Sequence, residues 1–295
     1  MLSGKPLSFI ESKGVFGCEI RMPYLFLNLY RQNNYIAVYD LEAKRFVGDC
    51  FTKGKSGDEY IDFDIVNQYN DSVFWTIDPQ KKLIREFSYI THSNDSGKIF
   101  EEIQRLRCKM NADLFCTFVK DDMIYAYKAF SIKDGLYYQN CKTNKKIAAF
   151  NKNIKNNDLN RIKTLAESMK PDGSKVVSFT GVWDEIDIIS LDGNTDENIS
   201  ITTSNDLMTW DEYKELAKDN LKDYYISIPR SNDEYIAVLH DNQKNHEILI
   251  FDWKGNGIAR CQLKEKLIDF AIDWETNTIY GLTENEVVYK YDTFN

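Results

Sequence analysis

The chain is short of the residues that interrupt or staple a fold. Five prolines and 14 glycines in 295 residues leave no Pro- or Gly-rich linker and no low-complexity tract. The sequence therefore reads as one unit spanning 1–295. Six cysteines occur without a CxxC pair, so zinc-ligand spacing is missing. A large, cysteine-poor chain is also not a disulfide-stapled scaffold. Cys116 and Cys261, inside apparent strands, read as buried small hydrophobes. The three histidines, His92, His240 and His246, are too loosely set to imply a ligand pair. There is no G-x-S-x-G elbow, so a hydrolase of that kind has no visible nucleophile.

Long apolar runs are missing too. No stretch approaches the roughly 20 apolar residues that span a bilayer. The opening MLSGKPLSFIESKG has no apolar core of signal-peptide length. The sequence fits a cytoplasmic protein or the mature form of an exported one. Basic charge is in deficit: 37 Lys+Arg against 46 Asp+Glu give a net charge of -9. The average field repels a phosphate backbone, and no basic run overcomes it, so nucleic acid is not an expected partner. The short KTNKK, Lys142 to Lys146, falls at an expected hairpin turn.

What is abundant is strand-forming material. The chain is 43% hydrophobic, with 18 tyrosines and 17 phenylalanines. The segments YIDFDI, from Tyr60, and LIDFAI, from Leu267, share the core I-D-F-x-I. Each is followed, across a polar turn, by a second β-rich run: SVFW from Ser72 and TIYG from Thr278. Weaker copies begin at Leu114, near Glu167 and at Tyr224, and FGCEIR, PYLFLNLY, YIAVYD and RFVGDC open the chain in the same way. Counted together they make six four-strand units, at the period of propeller blades. The fold class is thus all-β: a six-bladed β-propeller of four-stranded antiparallel blades. The last unit ends at its third strand, and LSFIE, Leu7 to Glu11, is the candidate to close it. The competing arrangement is an irregular β-sandwich or two small β domains. One segment departs from the pattern. Trp210, Tyr213, Ala217 and Leu221 recur at helical spacing, and Thr209 with Glu212 forms a capping box, predicting a short helical insertion near 207–221.

The stretch GDCFTKGKSGDEYIDFDI, Gly48 to Ile65, contains Gly-Lys-Ser and invites a phosphate-loop reading. Five residues rather than four separate Gly48 from Gly54, and a strand pattern rather than a helix follows. The stretch is expected to join two blades. The C-terminal part, with IFDWKGNGI, LIDFAID and TIYGL, resembles the closing blades of the TolB-like six-bladed propellers of Bacteroides-type bacteria. In that family a turn of the form G-x-G-P-x-E-aromatic joins an outer strand to the next inner one. Gly54, Glu59 and Tyr60 match it, while Ser56 and Gly57 replace the Gly-Pro. The resemblance covers most of the chain and is weak over Ile90 to Thr203. It implies a periplasmic or cell-envelope protein and carries over no catalytic residues.

Inner strands of a propeller line its channel, so Asp62, Asp64, Thr117, Ser227, Asp269 and Asp273 are the candidate channel groups. Converging carboxylates there would offer oxygen ligands to a divalent cation such as Ca²⁺. Lys55 and Glu59 of the interblade turn, and Trp183 in the polar GVWDEID, are candidate ligand-binding groups. LDGNTDENIS starts like a calcium loop, but Glu197 and Thr203 stand where glycine and glutamate are needed, so it reads as a turn. Most tryptophans are expected in the interblade core. The expected function is a non-catalytic, monomeric scaffold binding a partner protein or a saccharide-like envelope ligand on one face, with no cofactor. The alternative is a metal-dependent hydrolase or lactonase with a cation in the channel.

Overall fold

The computed structural model describes residues 1–11, 13–68, 70, 72–89, 99–107, 115–120, 124–131, 135–140, 146–149, 165–180, 185–191, 199–202, 225–241 and 246–292, with the backbone alone for 115–149, 165, 180 and 202. The strands run β1 (Lys5–Pro6), then β2 (Val15–Arg21), β3 (Tyr24–Leu29), β4 (Asn34–Asp40) and β5 (Arg45–Thr52) in the first blade. The second blade holds β6 (Asp64–Ile65), β7 (Val73–Asp78), β8 (Leu83–Tyr89) and β9 (Phe100–Arg107). A further sheet holds β10 (Phe115–Lys120), β11 (Ile124–Ser131), β12 (Gly135–Asn140) and β13 (Lys146–Ala149). Next come β14 (Leu165–Met169), β15 (Lys175–Thr180), β16 (Glu185–Ser190) and β17 (Ile199–Thr202). Then follow β18 (Tyr225–Ser231), β19 (Tyr235–Asp241), β20 (His246–Asp252) and β21 (Gly257–Gln262). The last blade holds β22 (Leu267–Asp273), β23 (Thr278–Thr283) and β24 (Val288–Tyr291), with β1 as its fourth strand.

Burial follows position within a blade. The interior strand β23 is buried along its whole length, because blades cover both of its faces. The outer strand β9 alternates half-buried and exposed residues, as an edge facing water on one side should. The cores lie between blades. Val15, Leu25 and Leu27 pack on Ala271, Tyr280 and Leu282, joining the first blade to the last. Leu239 and Ile250 pack on Phe270 and Ile279, and Val177 and Ile188 pack on Val238 and Tyr225. Phe26 and Val38 meet Phe74 and Phe87 between the first two blades.

The expected six-bladed ring is corrected by the contacts at the axis. Among the described residues six four-stranded antiparallel sheets form, but five of them close the ring. Gln68, just past β6, makes a parallel bridge directly to Met169 of β14, and the Met169 N–H donates to Asn67 O at 3.1 Å. The Ser231 hydroxyl joins β18 to β14 through Ser168 Oγ (2.7 Å) and Met169 O (3.1 Å). Arg230 joins β18 to β22, and Asp269 joins β22 to β2. The ring is therefore β2, β6, β14, β18 and β22, and the β10–β13 sheet meets it against β14 without separating β6 from β14 at the axis. Repeat counting finds sheets; which sheets reach the axis is decided by bridges such as Gln68–Met169, which leave no periodic signal.

Two local expectations are also revised. The closing strand is Lys5–Pro6, paired with Lys290 and Tyr289, not Leu7 to Glu11; only the Leu7 N–H continues the ladder, to Val288 O at 2.9 Å. The strand expected over Tyr60 to Ile65 narrows to Asp64–Ile65. No α-helix occurs among the described residues, and the insertion expected at 207–221 lies outside them.

Candidate functional site at the propeller axis

The first approach to the site is the loop between β5 and β6, where Gly-Lys-Ser sits. Its carbonyls from Ser56 to Glu59 face cationic side chains. Lys81 Nζ donates to Ser56 O (2.5 Å) and Glu59 O (2.6 Å). Arg85 donates to Gly57 O (2.6 Å) and Asp58 O (2.9 Å), with its guanidinium 4.4 Å from the centre of the Tyr60 ring. Arg105 adds bonds to Gly57 O and to the Asp58 carboxylate. A phosphate loop needs the opposite polarity, so this turn is a clasp between blades. Glu59 belongs to the clasp: its carboxylate accepts the Ser56 N–H at 2.8 Å, which holds its pKa below the usual range, and it lies against Gly54, where any side chain would collide with it. Lys55 is exposed on this loop.

At the axis the inner strands β2, β18 and β22 are each irregular, with register shifts at Val15/Gly17, Ile226/Arg230 and Leu267/Asp269. Bulges of this kind re-aim side chains. Here they bring Asp269, Ser227 and Arg230 onto one point. Asp269 Oδ2 accepts the Cys18 N–H at 2.7 Å, and Oδ1 accepts the Ser227 hydroxyl. Ser227 reaches it from a left-handed backbone, φ 72°, a strained conformation for a non-glycine residue. Arg230 Nη2 pairs with Asp269 at 3.2 Å and bonds Cys18 O at 2.9 Å, while its Nε bonds Phe270 O at 2.9 Å. Both partners are over nine-tenths buried. Gly17 makes the approach possible, since a Cβ there would stand 3.1 Å from Asp269 Oδ2 and 2.7 Å from Asn28 Nδ2. Burial, with the Asp269 charge next in weight, pushes the Cys18 thiol well above its usual range.

Asp64, on the inner strand β6, is exposed yet closely surrounded by protein. Loss of bulk hydration, and then the neighbouring Glu19 carboxylate, push its pKa up to about 7. Asp62 lies beside it and adds to the rise. Asn67, past the end of β6, donates to Glu167 O (2.7 Å) and Pro229 O (2.8 Å), tying three inner strands together.

Of the residues singled out in the sequence, Asp62, Asp64, Ser227 and Asp269 are at or near the axis. Asp273 is not part of that cluster: it caps the β22–β23 turn through the Glu275 N–H (3.1 Å) and the Thr276 hydroxyl. Thr117 lies in β10, whose side chains are outside the description, and Trp183 lies outside the described residues. Among the described residues, no three His, Cys, Asp or Glu side chains are placed to share a metal ion. His240 pairs with Glu247 at 3.4 Å, whereas His246 Nε2 accepts the Leu267 N–H at 2.7 Å, so the two histidines serve different contacts. Trp75, Trp253 and Cys261 are buried as expected. The acids drew attention in the sequence; Glu19, Arg21, Asn67 and Arg230 did not. The available signal was a charged residue at an interior strand position, as in FGCEIR and ISIPRS.

No protein-family model matches the chain, and no curated protein matches it. Solved structures do. A provisionally named exported protein of Bacteroides fragilis aligns over 100% of this chain and 95% of its own, at 13% identity and a TM-score of 0.59. The Cps50 (Swd1) β-propeller domain of Myceliophteria thermophila aligns over 97% of this chain and 98% of its own, at 11% identity and a TM-score of 0.50. Raptor of Chaetomium thermophilum aligns over 97% of this chain, at 10% identity and a TM-score of 0.52, and this chain spans only 28% of Raptor. At such identities the likeness shows a fold, and the fold is a β-propeller.

Proposed function

We propose that this propeller is a non-catalytic binding scaffold that presents one end to a partner protein or a small ligand of the cell envelope. The observation that carries this reading is an exposed aromatic and cationic patch where the inner strands begin. Phe16, at the start of β2, and Tyr30, just past β3, are 55% and 57% exposed and meet edge-to-face at 6.4 Å. The Arg31 guanidinium lies 4.9 Å from the centre of the Tyr30 ring. On the same end Lys53 Nζ lies 4.7 Å from the centre of the Tyr35 ring, and the exposed Ile61 accepts the Tyr35 hydroxyl through its carbonyl at 2.9 Å. The first blade is antiparallel, so the start of β2, the end of β3, the start of β4 and the end of β5 all meet at this end. Aromatic and arginine side chains exposed together on a rigid frame are the composition of binding surfaces. Lys55 belongs to this surface as a rim charge.

An envelope location is supported by the resemblance to the TolB-like propellers and by the Bacteroides fragilis structure named as exported. The test is a thermal-shift and calorimetric screen of envelope glycan fragments and envelope extract fractions against the protein and its Phe16→Ala/Tyr30→Ala variant. A binder at about 100 times its dissociation constant stabilises the fold by roughly 2.7 kcal/mol. The reading expects a saturable binder lost in the variant while the variant's own melting is little changed. A binder that the double substitution leaves untouched would move the site elsewhere.

A further inference from the structure

A second site lies at the opposite end of the inner strands and does not depend on the aromatic patch. A pocket of about 20 Å³ opens there, lined by Glu19, Arg21, Asn67, Arg230, Ser231 and Trp274. Glu19 and Arg230, which line it, are incompletely bonded. Glu19 is 8% exposed and its Oε2 is buried with no hydrogen-bond partner; Arg230 is 9% exposed and its Nη1 is likewise without one. Buried polar atoms are nearly always partnered, so Glu19 Oε2 and Arg230 Nη1 on one pocket call for a partner there. One is an acceptor and the other a donor.

The chemistry of the filler follows. A carboxylate would suit Arg230 but face Glu19 and, nearby, Asp64. An ammonium group would suit Glu19 but face Arg21 and Arg230. Arg230 is already matched by Asp269 at 3.2 Å, and Arg21 stands 3.9 Å from Glu19, so neither atom lacks a counter-charge. What both lack is a neutral hydrogen-bonding partner. A hydroxyl group both donates and accepts. Trp274 places an aromatic side chain at the same wall, and the volume suits a hydroxyl-sized group rather than a whole ring. We infer that this pocket is a subsite for one hydroxyl group of a saccharide or polyol, which donates to Glu19 Oε2 and accepts from Arg230 Nη1, with the remainder of the ligand outside against Trp274.

The test uses the five tryptophans as reporters. In ¹H–¹⁵N spectra the Trp274 indole signal is assigned by its loss in Trp274→Phe. D-glucose, D-galactose, D-mannose and myo-inositol are titrated in turn, with sodium acetate and methylammonium chloride as charged controls. The expected result is a saturable shift of the Trp274 signal with at least one polyol and neither control. Glu19→Ala should weaken that binding about tenfold or more, and Glu19→Gln, which keeps a carbonyl acceptor, should weaken it less. Trp274→Leu, a change at a half-exposed position, gives a second variant read by calorimetry should Glu19→Ala fail to fold. The inference is overturned if no polyol moves the signal, if acetate or methylammonium moves it equally, or if binding survives both Glu19→Ala and Trp274→Leu. Loss of the aromatic-patch binder in Phe16→Ala/Tyr30→Ala would leave this titration unchanged, so the two readings fail separately.

Discussion

Replacing Asp269 by alanine tests whether the axis is held by polar bonds. The carboxylate accepts from the Cys18 N–H, the Ser227 hydroxyl and Arg230, and so ties β22 to β2 and β18. Its removal leaves the Cys18 N–H unbonded and the buried Arg230 with only two carbonyls, Phe270 O and Cys18 O, and no counter-ion. Breaking a buried pair from one side typically costs about 3–5 kcal/mol. Set against a total stability of about 5–15 kcal/mol, that is a large fraction. Asp269→Asn keeps an acceptor for the Cys18 N–H and loses the charge, so its cost should be intermediate. The double variant Asp269→Leu/Arg230→Met removes the orphaned guanidinium and should be more stable than Asp269→Ala alone. Urea titrations followed by circular dichroism measure all three against the parent chain. A cost below roughly 1 kcal/mol for Asp269→Ala, the range of exposed ion pairs, would refute the reasoning. So would a double variant less stable than the single one.

Three other outcomes are expected. The native pKa of Asp64, about 7, stands above its unfolded value, so the native state holds that proton more tightly; stability falls as pH rises from about 4 towards 7 and levels off above. Asp64→Asn should raise the melting temperature at pH 8, by an amount reduced by the exposure of the side chain, and leave it little changed at pH 4; equal shifts at both pH values would contradict the assignment. Gly281→Ala would drive a Cβ into the fully buried Leu267 side chain, and overpacking of this kind costs about 1–3 kcal/mol in urea titration. Arg85→Ala removes the bonds to Gly57 O and Asp58 O and should open the β5–β6 loop to trypsin at Lys55, read as faster appearance of a cut there than in the parent chain.

How far the sequence went depends on what each feature leaves in it. Hairpins leave alternation and turn residues, so the strands of the first and fifth sheets were legible nearly residue by residue, and so was the non-phosphate character of Gly48 to Ile65. The outer strand β9, FEEIQRLR, was not assigned, because its charged face reads like a loop when no neighbour is known. The number of blades at the axis was misread for a different reason. It is set by contacts between residues far apart in sequence, Gln68 with Met169 and Asn67 with Pro229, and these polar residues fit no repeat. The acids at the axis were found as inner-strand exceptions to an apolar pattern. Their basic partners carry no oxygen-ligand signal, although Arg230 breaks the pattern of its strand as visibly as Asp269 does.

The axis combines two roles, and the atoms divide between them. Arg230 holds the ring with Nε and Nη2 and leaves Nη1 without a hydrogen bond. Asp269 has both oxygens committed to β2 and β18, so it supports the pocket without facing a ligand. The Glu19 carboxylate meets its ionic partner Arg21 only at 3.9 Å, so its removal disturbs the ring least and the pocket most. Substitutions at Arg230 or Asp269 therefore change stability and binding together and cannot assign a role to either. Glu19 separates them: a Glu19→Ala protein that melts near the parent chain and no longer shifts with a polyol would place the ligand at the axis by a residue that does not hold the blades.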